Sequence, residues 1–185
     1  WNLSVNSLRV TSLDTATDSN TRERLPYEGD CLITGHSRLS LQREYAWPRH
    51  SFRHVTWNPT STMEWRQTIA LLAQLDYDYT GSLSLFDSFA DAMEKQTQVA
   101  CVNATSQLPD FTACERQTAG LGCPREAKLL DLIDTPAVGS GEGYRDGYVL
   151  SASSTVIASY MVASLSATSS LHAAAGNATH AAALA

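Results

Sequence analysis

Apolar residues recur along this chain at helical steps, and the stretches between them are broken by glycine, proline and serine. At the start, Leu3, Val5, Leu8, Val10 and Leu13 step by two and three in turn, a period between strand and helix that we assign to a helix. From Asp30 to about Tyr45, Leu32, Ile33, His36, Leu39 and Arg43 fall at helical spacing, with Asp30 placed where an acid favours a helix start. Residues 46 to 60 hold two prolines and two tryptophans and are expected to be irregular, forming the wall of a pocket. Ser61-Thr62-Met63-Glu64 reads as a capping box opening a helix through Trp65, Ile69, Leu72, Leu75 and Tyr79. Gly81 ends that helix as a left-handed cap, and a second helix follows through Leu83, Leu85, Phe86, Phe89, Ala90 and Met93. Residues 98 to 127 read as an excursion loop held by a disulfide, Leu129 to Ile133 as a short extended piece, and Asp134 to Tyr148 as a glycine-rich loop. The last long helix runs from about Ser153 to Ala175 through Val156, Tyr160, Ala163, Ala167 and Leu171. Gly176 stops it, and Asn177 or Thr179 starts another. Helix, glycine, helix thus occurs twice, and the expected architecture is all-α, built from antiparallel hairpins.

The totals narrow the class. With 185 residues, 43% hydrophobic and 17% charged, the chain is long enough for one domain with a core and too apolar for a disordered segment. A net charge of -6 repels phosphate backbones, which argues against nucleic acid as a partner. No apolar run reaches the length of a membrane span. Of the four cysteines, Cys101, Cys114 and Cys123 lie close together, and N-x-S/T sequons occur at Asn2, Asn103 and Asn177, while Pro59 disqualifies Asn58. Together these favour a secreted protein with one or two disulfides, the pairing left open. There is no C-x-x-C pair, and His50 and His54, four residues apart, lack an evident third ligand, so no metal is expected. The chain opens at Trp1 without a leader and ends at Ala185 inside a helical pattern without a stop signal. Both ends are expected to be cuts in a longer chain, in which case the missing leader says nothing about secretion.

The densest chemistry lies in Asp18 to Asp30, D-S-N-T-R-E-R-L-P-Y-E-G-D, with four carboxylates in thirteen residues. Pro26 and Gly29 break regular structure there. Loops at one end of a hairpin array converge, so Asp18, Glu23, Asp30, Trp57, Asp134 and Asp146 are candidates for one acidic, aromatic cleft. Such a cleft suits a sugar, whose C–H faces stack on rings and whose hydroxyls bond to carboxylates. Glycoside hydrolysis needs one carboxyl group kept protonated as general acid and a second acting as base or nucleophile. Glu23, with Asp18 and Asp30 near in sequence, has the like-charged neighbours that hold a proton on a carboxyl group. A plainer reading of the same residues stays open. Asp18 would bond its own backbone, Asp30 would cap a helix, and Glu23 would pair with Arg22 or Arg24 at the surface.

The segment resembles the signature of the α-L-rhamnosidases of glycoside hydrolase family 78. There an Asp opens the motif, a Glu follows before an Arg-Leu or Gln-Leu pair, and aromatic-x-Gly-Asp closes it. Asp18, Glu23-Arg24-Leu25 and Tyr27-Glu28-Gly29-Asp30 fit that order. Trp1 to Thr11 looks like the helix leading into the motif. Trp65 with Asp76-Tyr77-Asp78-Tyr79-Thr80-Gly81, Leu132-Ile133-Asp134-Thr135-Pro136 and Arg145-Asp146-Gly147-Tyr148 resemble later patches of the family in the right order. The resemblance implies an (α/α)6 barrel, the six-hairpin glycosidase fold, and inverting hydrolysis of terminal α-L-rhamnose without an organic cofactor. Glu23 carries over as general acid, Asp18 and Asp30 as binders of rhamnose hydroxyls and Tyr27 as an aromatic wall. Trp65 and Asp134 join them as substrate-binding candidates.

The chain departs from the family at three places. Ser19 stands where the family has a cysteine, and Thr135 where it has an aromatic. The family's general base comes from a later hairpin, and no residue of these 185 matches it. Residues 1–185 are therefore expected to form the N-terminal part of one catalytic domain, about half of its hairpins, and to be inactive alone. Two other readings remain. One is a different six-hairpin glycosidase or a polysaccharide lyase acting on an acidic glycan, for which Thr135 leaves room. The other is a non-catalytic carbohydrate-binding or structural helical domain.

Overall fold

The computed structural model describes residues 1–19, 21–60, 63–108 and 155–185. Among them helix is the regular structure, apart from an isolated bridge between Ser12 and Ala16. The helices are α1 (Asn2–Val10), α2 (Glu28–Leu41), α3 (Ala46–Trp57), α4 (Met63–Thr80), α5 (Ser84–Gln96), α6 (Thr155–Ala174) and α7 (Ala178–Leu184), with a 3-10 turn at Val99–Cys101. The all-α reading holds for these residues. No described helix is long and apolar enough to cross a membrane.

Helix α4 is the centre of the assembly. It packs against α2, α3, α5 and α6, and α7 folds back along α6. Being surrounded, α4 buries residues around most of its circumference, from Ile69, Leu72 and Leu75 to the polar Gln67, Thr68 and Asp76. Phe52 and Val55 of α3, Leu39 of α2, Leu85, Phe86 and Met93 of α5 and Leu171 of α6 complete the core. The α2–α3 approach depends on Gly35: a Cβ there would stand 2.6 Å from Phe52 Cζ, and Phe52 is itself fully buried. Both hairpin glycines occupy the left-handed region, Gly81 at φ +67° and Gly176 at φ +82°. Past Gly176 the Asn177 amide donates to the His172 carbonyl at 2.9 Å, closing α6 in a Schellman-type turn. Asn177 then caps α7 by accepting from the His180 amide.

Three expectations need correction. Residues 46–57 are a helix, not an irregular stretch. Pro48 sits in its first turn, where a missing N–H costs nothing, and the Glu44 carboxylate accepts from the Ala46 and Trp47 amides at 2.8 and 3.2 Å. The buried face, Pro48, Ser51, Phe52, Val55 and Thr56, has full helical periodicity. In α2 the buried face is Glu28, Cys31, Gly35, Arg38 and Leu39, while Ile33 and His36 point outward. A stripe of acid, thiol, glycine and guanidinium does not register as apolar. In α6 the buried stripe is Ile157, Met161, Ser164, Thr168 and Leu171, and Val156 is exposed.

Cys31 is a buried free thiol, its pKa pushed up to about 12 by burial first and then by Glu28 and Asp30. That removes it from the disulfide framework and from nucleophilic chemistry. Cys101 is disulfide-bonded. Cys114, Cys123, Asp134, Asp146, the extended piece at 129–133 and the Ser61-Thr62 half of the capping box lie outside the described residues.

Candidate functional site

The acidic segment forms a tight loop between α1 and α2. The Ser19 amide donates to the Glu23 carbonyl at 3.1 Å and the Glu23 amide to Ser19 Oγ at 3.0 Å, which holds Glu23 in place against Ser19. The loop is anchored from behind: Ala16 donates to Ser51 Oγ of α3 at 2.9 Å, and Trp47 Nε1 donates to the Leu13 carbonyl at 3.0 Å. Arg38 of α2 donates to the Leu8 carbonyl and stacks over Trp47, its guanidinium carbon 4.2 Å from the ring centre.

On this loop a hydrogen bond to the neighbouring Asp18 carboxyl group is the leading cause that raises the Glu23 pKa above its ordinary value. Desolvation and the Asp18 charge act in the same direction. Arg22, which grips Glu23 with two 2.6 Å hydrogen bonds, acts against them. Arg22 is itself well exposed, so this grip is a surface ion pair that a ligand can displace.

Tyr27 lies beside the pair. Burial, and then the charges of Glu23, Asp18 and Asp30, raise its phenol pKa, with Arg22 opposing. Its ring meets the edge of Trp65 from α4 with centroids 5.7 Å apart and planes at 67°. Gly29 lies against the same ring, at a distance where a Cβ would make an ordinary van der Waals contact with Trp65. Asp18, Glu23, Tyr27, Asp30 and Trp65 are thus gathered at the junction of the loop with the starts of α2 and α4. Asp134 lies outside the described residues. Trp57 stands apart from the group. It meets Phe89 edge-on at 6.2 Å and lines a cleft of about 380 Å³ between α3 and α5, with Asp87, Asp91 and Lys95.

Glu28 is the residue that sequence reasoning passed over. It is fully buried at the first turn of α2, and its Oε1 accepts from the Thr60 amide at 2.6 Å and from Thr60 Oγ1 at 3.2 Å. Arg66 Nε donates to the Thr60 carbonyl, so Thr60 is held from both sides and the starts of α2 and α4 are locked together. That lock sets the distance between Tyr27 and Trp65. The other carboxylate oxygen of Glu28 has no hydrogen-bond partner among the described residues. Burial raises its pKa against the opposing Thr60 hydrogen bonds and the Arg66 charge. The linkage follows in sign. The folded state holds the proton above the ordinary value of 4.5, so its contribution is full below that pH and is lost as pH rises through the folded pKa. Glu28→Gln cannot ionise, so its stability relative to the parent is expected to improve as pH rises from about 4 to 8. Urea unfolding across that range checks this, and a pH-independent difference between the two proteins would refute it.

His50 and His54, the pair noticed at helical spacing, join no three-ligand group among the described residues. Burial and the neighbouring His50 lower the His54 pKa. No protein family, curated protein or solved structure matches the chain.

Proposed function

We propose that the chain is the N-terminal part of an inverting glycosidase of the α-L-rhamnosidase type, on a partial (α/α)6 barrel. The observation that carries the reading is the Asp18–Glu23 carboxyl pair set beside the Tyr27–Trp65 corner. Glu23 acts as general acid. Its shared hydrogen bond with Asp18 keeps a proton available to the departing glycosidic oxygen. Asp18 and Asp30 bind rhamnose hydroxyls, and Tyr27 and Trp65 offer ring faces to the sugar's C–H surface. Asp18 is too near Glu23 to be the opposing base, which in an inverting enzyme stands about 6.5–9.5 Å across the sugar with room for a water. In keeping with the resemblance, the base is a residue of a later hairpin, and the 185 residues alone are expected to be inactive. Two further features support an incomplete toroid. Helix α1 buries none of its residues, leaving Trp1 and Leu3 open, and Val162 of α6 and Ile33 of α2 also face outward. The exposed sequons at Asn2, Asn103 and Asn177 fit a secreted glycoprotein.

The completed catalytic domain is expected to release free L-rhamnose from an aryl α-L-rhamnoside. Proton NMR should show the β-anomer appearing first, because a single displacement inverts the anomeric centre. Formation of an unsaturated sugar from an acidic glycan, with no rhamnose released, would replace this reading with the lyase one.

The cleft at Trp57 and Phe89 favours a second reading, a non-catalytic carbohydrate-binding domain. Aromatic rings flanked by Asp87 and Asp91 have the composition of a sugar subsite. Sugar binding abolished by Trp57→Ala and untouched by Tyr27→Ala would select it.

A further inference from the structure

At the far end of α5, three helices bring metal-ligating side chains to one point. Glu94 lies in the last turn of α5, His172 in the last turn of α6 and His180 in the first turn of α7. His172 Nε2 stands 2.7 Å from Glu94 Oε1, and His180 Nε2 stands 3.1 Å from the same oxygen. The two imidazoles meet edge to face at 4.4 Å, and one ligand atom from each of the three residues lies within 4.8 Å of the others. Among the described residues no other group of three or more His, Cys, Asp or Glu side chains converges in this way.

The local fold holds this arrangement in place. The Gly176 turn reverses the chain so that His172 and His180, eight residues apart in sequence, face each other across the hairpin. Ser169 Oγ donates to the Ala181 carbonyl at 2.8 Å and fixes the two helices in register. Phe86 packs edge-on against the His172 ring at 4.9 Å and sets its orientation. His172 is buried, while Glu94 and His180 are partly open to solvent, so the cluster has an apolar back and a wet front.

We propose that Glu94, His172 and His180 form a binding site for a divalent transition metal, with zinc as the ion of choice. Two imidazole nitrogens and one carboxylate oxygen are a donor set that zinc takes in sites of three protein ligands, the fourth position going to water. Ligand bonds of about 2.0–2.2 Å at a tetrahedral ion place the donor atoms roughly 3.4 Å apart. The spacings here need only a side-chain adjustment to reach that value. Without metal, His172 Nε2 and Glu94 Oε1 share a hydrogen bond, and His180 Nε2 faces the same oxygen. On binding, each nitrogen must present its lone pair, so its proton moves to Nδ1 or leaves to solvent. The ion then ties α5, α6 and α7 together at one end of the bundle. Calcium and magnesium, which take oxygen ligands, are disfavoured by the two nitrogens.

The test is titration of chelator-stripped protein with zinc against a chromophoric competitor, with cobalt(II) as a spectroscopic probe of geometry. Binding of one zinc per chain is expected, with the d–d bands of a tetrahedral or five-coordinate site on cobalt loading and a melting temperature that rises with zinc concentration. His180→Ala removes a partly exposed ligand from a terminal helix and should leave the fold intact by circular dichroism. It is expected to weaken zinc binding by at least the 10–100-fold that losing an outer-shell partner costs. Glu94→Gln should do the same, and His50→Ala should change nothing. No zinc binding at micromolar concentrations, or binding unaltered in both His180→Ala and Glu94→Gln, overturns the proposal.

Discussion

Glu23→Gln in the completed catalytic domain is expected to cut turnover of a rhamnoside by roughly two to four orders of magnitude, the range that general acid catalysis supplies. The amide matches the carboxyl group in shape and can still hydrogen-bond to Asp18, so binding of substrate should change little. What it cannot do is give a proton to the departing oxygen. The loss should grow with the basicity of the leaving group, being largest for an alkyl or glycosyl rhamnoside and smaller for a nitrophenyl one. A companion measurement isolates the role of Asp18. Its hydrogen bond and charge hold the Glu23 pKa up, so Asp18→Asn should move the alkaline limb of kcat/KM to lower pH. Near-normal turnover by Glu23→Gln on every leaving group would sink the assignment of the general acid. An unmoved alkaline limb in Asp18→Asn would show that the carboxyl pair does not set it.

Arg49→Met is expected to be the most damaging single change to the described scaffold, costing about 3–5 kcal/mol. Arg49 Nε donates to Asp76 Oδ2 at 2.8 Å, and its Nη2 donates to Thr80 Oγ1 at 2.9 Å, clamping α3 to the C-terminal half of α4. Asp76 is 1% exposed, and its second oxygen has no hydrogen-bond partner among the described residues. Removing the guanidinium leaves a buried carboxylate with nothing to balance it, which is worse than removing both charges. The double variant Arg49→Met with Asp76→Asn should therefore recover a substantial part of the loss. Guanidinium unfolding of the four proteins in this cycle measures the coupling directly. Against a typical total of about 5–15 kcal/mol, the single change is enough to unfold a marginal domain. An effect below about 1 kcal/mol would mean the pair is no more than a surface contact.

The Arg49 clamp also explains a stretch that reads as a family patch in sequence. In Asp76-Tyr77-Asp78-Tyr79-Thr80-Gly81, Asp76 and Thr80 meet Arg49, and Gly81 supplies the left-handed end of α4. These are scaffold duties.

How much of the candidate site could be read along the chain differs from residue to residue. Asp18, Glu23 and Asp30 stand out because their spacing within one short acidic segment is itself the signal, and Tyr27 enters through the resemblance. Trp65 enters through the resemblance alone, and its meeting with Tyr27 is a contact between helices 38 residues apart in numbering. Glu28 gives no signal at all. A glutamate at a helix start looks like a favourable charge at an exposed N-terminus. Its burial follows from where Thr60 and Arg66 arrive, which no local pattern contains.

Helices α4, α5, α6 and α7 and their glycine breaks are legible because helix period and left-handed caps are local properties, written within a few residues. Helix α3 is legible only once Pro48 is placed in a first turn rather than inside a helix, since the same residue ends one structure and begins the other. The buried faces of α2 and α6 are decided by packing. On α2 the acid and the arginine are buried with partners outside the helix, Thr60 for Glu28 and the Leu8 carbonyl for Arg38, while on α6 the Thr168 hydroxyl bonds the Ser164 carbonyl of its own helix. Burial there depends on hydrogen-bond partners and close approach more than on apolarity. The cluster of Glu94, His172 and His180 belongs wholly to this second kind. Its members lie on three helices, and only the turn at Gly176 and the packing of α5 against α6 bring their ligand atoms to one point.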